Sequence, residues 1–327
     1  MKVLVVSPGL ATRLSKIEGL PVGVEFVVPE RGTDEELVGL AGDVDVIVAT
    51  RLSDEVARAA RGLRLLQKTG AGVDAMPFDS LGEHVYVANT SGANPVPLAE
   101  GAVALVLALA KRVVPRHTSF TSGRDPTRGV ELRGKKAGIL GLGSIGIEVA
   151  RRLQAFEMGV LGIRRRPSEE LRRELGLEFL GGPGDLDFLL GESDFLVVTV
   201  PLTPVTRGMI GERELGLMKP TSYLVNVARA AIIQDEPLYR ALTEGWIAGA
   251  AIDVWWNPHW WDPIWNPSGR PASEFPFWEL PNVIATPHNI GSTDSRSDAA
   301  LRIIAENIRR TARGEEPINQ VDKAHRY

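Results

Sequence analysis

Short runs of β-branched and aliphatic residues recur along almost the whole chain, with helix-length stretches between them. This alternation limits the folding choices most. The runs at residues 3–6, 24–28, 44–49, 63–68 and 85–88 have the length of buried strands, and 34–40 and 54–61 have the length of helices. Strands that must wait for a helix before pairing again pair in parallel, through crossover connections. The opening series therefore makes one small α/β unit. Ser7-Pro8-Gly9, directly after the first run, reads as a turn.

A different kind of segment follows. Residues 98–113 are rich in Ala and Leu and poor in polar groups, as in a helix buried between domains or subunits. Residues 115–134 are polar, contain Pro and Gly, and read as a loop or arm. From Lys136 a second series runs through 137–140, 159–163, 195–200, 223–227, 248–254 and 283–286. Six strands with helices between them, the first entering a glycine-rich turn, give the Rossmann pattern, a doubly wound parallel sheet. Residues 292–313 follow as a helix.

Composition narrows function by exclusion. A length of 327 residues exceeds what one core usually serves, so two domains are expected. A net charge of -4 argues against a partner such as nucleic acid or an anionic membrane, which select basic surfaces. The absence of Cys removes disulfides, thiolate nucleophiles and Cys-based zinc sites, and the 5 His show no metal-ligand spacing. The longest apolar run, 102–110, is about half of the ~20 residues a membrane span needs. The apolar stretch near Met1 is too short for a signal-peptide core, and a cytoplasmic protein is expected.

The most informative local motif is Gly141-Leu-Gly143-Ser144-Ile145-Gly146, between a strand and a helix. Gly141 permits the tight turn, Gly143 lets backbone approach a pyrophosphate, and Gly146 lets the helix pack closely on the strand. The helix beginning near Ser144 and Ile145 aims N–H groups and its positive dipole end at phosphates. In NAD-specific sites the next strand ends in an acid that binds the ribose hydroxyl. Here it ends Arg164-Arg165-Arg166-Pro167. Guanidinium groups grip a 2′-phosphate, so NADP(H) is the expected cofactor, with NAD(H) the alternative if this is only a solvated basic turn.

Several separated blocks now make the chain resemble the D-isomer-specific 2-hydroxyacid dehydrogenases, a family that includes glyoxylate/hydroxypyruvate reductases and phosphoglycerate dehydrogenases. They are Lys68-Thr-Gly70-Ala71-Gly72-Val-Asp74, Asn89-Thr-Ser-Gly-Ala-Asn94 with Leu98-Ala-Glu100, and the glycine fingerprint. Downstream come Val200-Pro201-Leu-Thr203-Pro-Val-Thr206, Asn226-Val-Ala228-Arg229, Gly249-Ala-Ala-Ile-Asp253, and Thr286-Pro-His288. The resemblance implies a flavodoxin-like substrate-binding domain (1–97 and 290–327) and a Rossmann cofactor domain (98–289). It also implies a homodimer, and an active site in the cleft between the domains. The implied reaction interconverts a small 2-keto acid and its D-2-hydroxy acid.

By the same resemblance, Arg229 holds the substrate carboxylate and polarises the ketone, and His288 is the acid/base that exchanges a proton with its oxygen. Gly70, Ala71 and Gly72 offer backbone N–H groups to the carboxylate, although an ordinary turn remains an alternative. Asp253 binds the nicotinamide carboxamide and Leu98 flanks the ring. Pro201, Thr206, Ala228, His288 and Gly291 complete the cofactor positions.

One family residue is missing. Members carry a Glu-Pro pair shortly after that Asp, and this Glu raises the pKa of the histidine. Here the text reads Asp253-Val-Trp-Trp-Asn257-Pro258. An amide at Asn257 would orient the imidazole without stabilising its charge. His288 is then expected to titrate lower than in typical members, and reduction to favour acidic pH. Asp262 or Glu274 are spatial substitutes to consider.

The same stretch holds Trp255, Trp256, Trp260, Trp261, Trp265 and Trp278, out of 7 Trp in the chain. They read equally well as an apolar wall for a bulky substrate and as a contact or satellite core. Two competing functions share the fold: a formate- or phosphite-type dehydrogenase, and a non-enzymatic dinucleotide binder of the corepressor kind.

Overall fold

The computed structural model describes residues 1–121, 123, 127–258, 260, 266, 268–293 and 296–327. The chain divides into two compact units, 1–94 with 293–327, and 95–292. The boundaries expected after residues 97 and 289 thus fall after 94 and 292.

The first unit opens with β1 (Lys2–Val5), α1 (Pro8–Leu14), β2 (Glu25–Val27), α2 (Asp34–Leu40), β3 (Val46–Ala49), α3 (Asp54–Ala59), β4 (Leu65–Lys68) and β5 (Tyr86–Ala88). Its five strands are parallel in the order β2-β1-β3-β4-β5, the flavodoxin-like arrangement. Both sheet faces are covered. Val3, Val5, Val46 and Val48 fill one core, while Leu4, Ile47 and Leu66 fill the other. This is why the central strands β1 and β3 read as apolar runs and not as alternating ones. Ser7-Pro8-Gly9 does not make a turn. It starts α1, with Pro in the first helical turn, where its missing N–H costs nothing.

The second unit contains α4 (Pro95–Ala110), α5 (Val113–Thr118), β6 (Lys136–Leu140), α6 (Ser144–Gln154), β7 (Gly159–Ile163), α7 (Glu169–Glu174) and β8 (Phe179–Gly181). It continues with α8 (Leu186–Glu192), β9 (Phe195–Val198), α9 (Glu212–Leu217), β10 (Tyr223–Asn226), α10 (Asp235–Thr243), β11 (Gly249–Ile252) and β12 (Val283–Ala285). The sheet has seven parallel strands, not six, in the order β12-β11-β10-β9-β6-β7-β8. The extra strand, β8, is a three-residue edge strand, Phe-Leu-Gly, too short to stand out as a run.

The apolar helix α4 is buried by its own unit. Ala99, Ala102, Val106 and Ala110 pack with Ala137, Ile139 and Val149 in a core on one face of the sheet. Part of the expected loop after it is helical, as α5. The last helix, α11 (Arg296–Arg313), belongs to the first unit, where Leu301, Ile304 and Ile308 join Val3 and Val5. Asn307 is fully buried there. Its amide donates to Gln67 Oε1 (2.7 Å) and to Ile318 O (3.0 Å), and its Oδ1 accepts from Ile318 N (2.7 Å).

Candidate active site

In a wholly parallel sheet every strand delivers its carboxyl end to the same edge. The chain moves from β6 outward to β7 and β8, then returns to β9 on the other side of β6. The edge beside β6 and β9 is therefore the topological switch point, where dinucleotides bind in such sheets. The glycine turn leaves β6 there.

The three glycines are required for different physical reasons. Gly141 has φ +109°, and a Cβ on it would meet Val200 N at 2.6 Å. At Gly146 a Cβ would collide with the Gly141 carbonyl oxygen, so the close seat of α6 depends on that hydrogen. At Gly143 a Cβ would meet nothing within 4 Å. Open space at this N-cap, beside the exposed Ser144, is what a ligand phosphate would need. Ile145 is half-buried behind it.

Arg164 and Arg165 follow β7, the first half-buried and the second exposed, and Arg164 N donates to Gly181 O of β8 (3.1 Å). After β9, the Thr206 hydroxyl donates to Pro201 O (2.6 Å) and accepts from Thr203 N (2.8 Å), which closes that loop on itself. Leu98 and Gly291 are neighbours, since a Cβ on Gly291 would lie 3.2 Å from Leu98 Cα.

Arg229 leaves the carboxyl end of β10 on a turn held by Asn226, which is buried at 1 % exposure. The Asn226 amide donates to Arg229 O (3.1 Å), and its Oδ1 accepts from Ala228 N (3.1 Å). Arg229 itself is half-buried, and its Nη1 donates to Ala228 O (2.8 Å). A buried amide thus fixes the root of the guanidinium.

His288 follows β12 on a loop with φ +56°, unusual for a residue with a side chain. Asp253, after the neighbouring strand β11, holds that loop. It is 2 % exposed; its Oδ1 accepts from Thr286 Oγ1 (2.7 Å), Asn289 N (3.1 Å) and Ile290 N (3.2 Å). The Thr286 carbonyl accepts from Trp255 Nε1 (2.9 Å) and from His288 N (3.0 Å). Sequence reasoning missed this support by Thr286 and Trp255. The available signal was the spacing of Asp253 and Trp255, two apart directly after a strand.

The tryptophans separate. Trp255 and Trp256 belong to the core on one sheet face. Trp256 stacks on Phe277 (5.1 Å) and donates to Ile233 O (2.9 Å). Trp260 and Trp278 are exposed. Trp261, Trp265 and Asp262 lie outside the described residues. The Asn257 amide donates to Arg270 O (3.0 Å) and Pro271 O (3.2 Å), so its N–H groups hold the loop closed. Glu274 is exposed on that same loop.

In the first unit, Gly70, Ala71 and Gly72 follow the carboxyl end of β4. Gly70 O accepts from Thr90 N (3.2 Å) and Ala71 O from Asn89 Nδ2 (2.8 Å), and Ala71 is exposed. Among the described residues no helix is long and apolar enough to cross a membrane, and no cluster of His, Asp and Glu could hold a metal.

Comparison with known proteins agrees with this layout. Residues 103–289 match the family described as D-isomer specific 2-hydroxyacid dehydrogenase, NAD binding domain. The D-3-phosphoglycerate dehydrogenase of Methanocaldococcus jannaschii is 34% identical, over 98% of this chain and 59% of that protein, so this chain spans about three fifths of that relative. The glyoxylate reductase of Pyrococcus furiosus is 35% identical, over 88% of this chain and 85% of the relative. Among solved structures, the NADPH-dependent glyoxylate/hydroxypyruvate reductase of Sinorhizobium meliloti, in complex with NADP and malonate, superimposes with a TM-score of 0.81. It is 25% identical and covers 99% of this chain and 97% of its own. With the glycine turn at the switch point and Arg229 and His288 on the same sheet edge, the chain belongs to the D-isomer specific 2-hydroxyacid dehydrogenase family.

Proposed function

We propose that the protein is an NADP(H)-preferring reductase of small 2-keto acids to D-2-hydroxy acids, of the glyoxylate/hydroxypyruvate type. The observation that carries this reading is that Arg229 and His288 leave β10 and β12 at one edge, with only β11 between them. Two strand spacings amount to about 10 Å, a gap that an arginine side chain and an imidazole can span around one small acid.

The residues fit a nicotinamide dinucleotide. Gly143 and the N-terminus of α6 would take the pyrophosphate, and Arg164 and Arg165 a 2′-phosphate. Pro201, Thr206, Ala228 and Gly291 would line the path to the ring, with Asp253 on the carboxamide and Leu98 beside it. When bound, the cofactor supplies or removes a hydride at C2 of the substrate. Arg229 holds the carboxylate and draws electron density toward the keto oxygen. His288, as imidazolium, donates a proton to that oxygen in reduction and recovers it in oxidation. Gly70, Ala71 and Gly72 would offer backbone N–H groups to a carboxylate. A homodimer is expected from the family and is checked by light scattering.

Absorbance at the reduced nicotinamide band tests the reading, as a loss when glyoxylate or hydroxypyruvate is offered with NADPH or NADH, and as a gain when formate is offered with the oxidised dinucleotides. Keto-acid turnover with a kcat/KM for NADPH at least about tenfold above that for NADH is expected, a difference of about 1.4 kcal/mol in transition-state binding. A preference for NADH removes the role given to Arg164 and Arg165. Turnover of formate alone overturns the substrate class. Arg229→Lys keeps the charge but loses the fork, and should lower kcat/KM on the order of a hundredfold.

A further inference from the structure

We propose that Trp255 and Thr286 are positioning residues that set the place of the His288 imidazole. This rests on the acid/base role proposed for His288. A left-handed backbone at a residue with a Cβ persists only where its surroundings over-determine it, and His288 has φ +56°. The surroundings that do so here are few and specific. The Trp255 indole N–H and the His288 amide converge on one carbonyl, Thr286 O, at 2.9 Å and 3.0 Å. Two residues before His288, the Thr286 hydroxyl donates to Asp253 Oδ1 (2.7 Å), and just after it Asn289 N and Ile290 N donate to the same oxygen (3.1 and 3.2 Å).

The loop is thus held on both sides of His288 by two side chains that leave β11 two residues apart. Trp255 is itself fixed, 7 % exposed and set edge-on against Trp278 at 6.1 Å. Pro287 separates Thr286 from His288, and its ring limits backbone adjustment between the clasp and the imidazole. An indole at this position does what packing alone would not. It aims a donor at the carbonyl that begins the histidine turn.

The test uses Trp255→Phe, which keeps an aromatic ring but deletes the donor, together with Thr286→Val and Thr286→Ser. Turnover is measured beside the imidazole signals in the NMR spectrum of the full chain without cofactor, where only 5 His contribute. His288→Asn identifies its signal by loss. We expect Trp255→Phe and Thr286→Val each to move the His288 signal alone and to lower kcat about tenfold, the ratio set by losing one hydrogen bond that orients the ring. Thr286→Ser should restore both. An unmoved His288 signal in both variants overturns the proposal, as does a Thr286→Ser variant as impaired as Thr286→Val. A loss of kcat accompanied by shifts in every imidazole signal also overturns it, since that marks general loosening. If His288→Asn turns over at the wild-type rate, the acid/base role fails, and the signal shifts still decide whether the clasp sets the ring.

Discussion

At the scale of single residues, Gly143 and Gly146 separate binding from folding. A methyl at Gly143 meets no protein atom within 4 Å, whereas one at Gly146 strikes the Gly141 carbonyl. Gly143→Ala should therefore melt like the wild type and bind dinucleotide at least about tenfold more weakly, because the methyl would occupy the space proposed for a phosphate. Gly146→Ala should destabilise the protein by about 1–3 kcal/mol through overpacking between helix and strand. Thermal melts with and without dinucleotide check both, and a Gly143→Ala variant of unchanged affinity contradicts the assigned pyrophosphate site. These glycines were legible in the sequence because each acts within a few residues of the motif. Asp253 was singled out through the family resemblance. Its grip on Thr286, Asn289 and Ile290 was not, because more than thirty residues separate the partners and only the parallel pairing of β11 with β12 brings them together. Asn257, expected at the place of the family's glutamate, shows the same limit: its residue type did not reveal that its amide donates to Arg270 O and Pro271 O.

At the scale of elements, what the sequence revealed depended on whether a segment's own residues decide its state. Strongly apolar strands such as β3 and β9 were readable, since burial on both faces leaves an unbroken hydrophobic run. The short edge strand β8 and the helix α5, which has no buried side chain, take their state from neighbours and left no such mark. The start of α2 shows how local chemistry fixes an element. The Glu36 carboxylate accepts from Glu30 N (2.6 Å), Arg31 N (2.9 Å) and Gly32 N (2.9 Å), while Thr33 Oγ1 accepts from Glu36 N. Those backbone donors, Glu30 N foremost, hold the Glu36 pKa below its usual value of 4.5. A carboxyl depressed in the folded state stabilises the fold above its unfolded pKa, and that contribution is lost as pH falls through the lower folded value. Glu36→Gln should therefore be less stable than the wild type at neutral pH, with the difference shrinking below about pH 4.5. Urea midpoints across that range check it. A gap that stays constant down to pH 2 would mean that the ionised form is not what matters.

At the scale of the molecule, the two units differ in how the chain makes them. Residues 95–292 form one continuous segment, while the other unit joins 1–94 to 293–327. The continuous unit covers both faces of its sheet with its own helices. One core is built on α4 and α6 with Ala137, Ile139 and Val197, and the other on Leu189, Leu215, Leu238 and Phe277 with Leu196 and Leu224. Among the described residues nothing in either core is borrowed from outside the segment, so residues 95–292 should fold alone and bind dinucleotide through the glycine turn. The first unit has no such independence. Without α11 it loses Leu301, Ile304 and Ile308 from beside Val3 and Val5, and Gln67 Oε1 loses the Asn307 amide in a fully buried setting. An unmet buried acceptor costs about 1–3 kcal/mol, and three emptied aliphatic sites cost several more. That sum rivals the whole stability of a domain. A chain ending at Ser292 should then show one cooperative unfolding transition, raised by dinucleotide, with amides of β1, β3 and β4 exchanging rapidly. Saturating ligand at about a hundred times its Kd should stabilise that remaining transition by about 2.7 kcal/mol. Slow exchange in β1 and β3 of the truncated chain would mean that the first 94 residues hold their sheet without α11, and that the return of the chain is not what completes the fold.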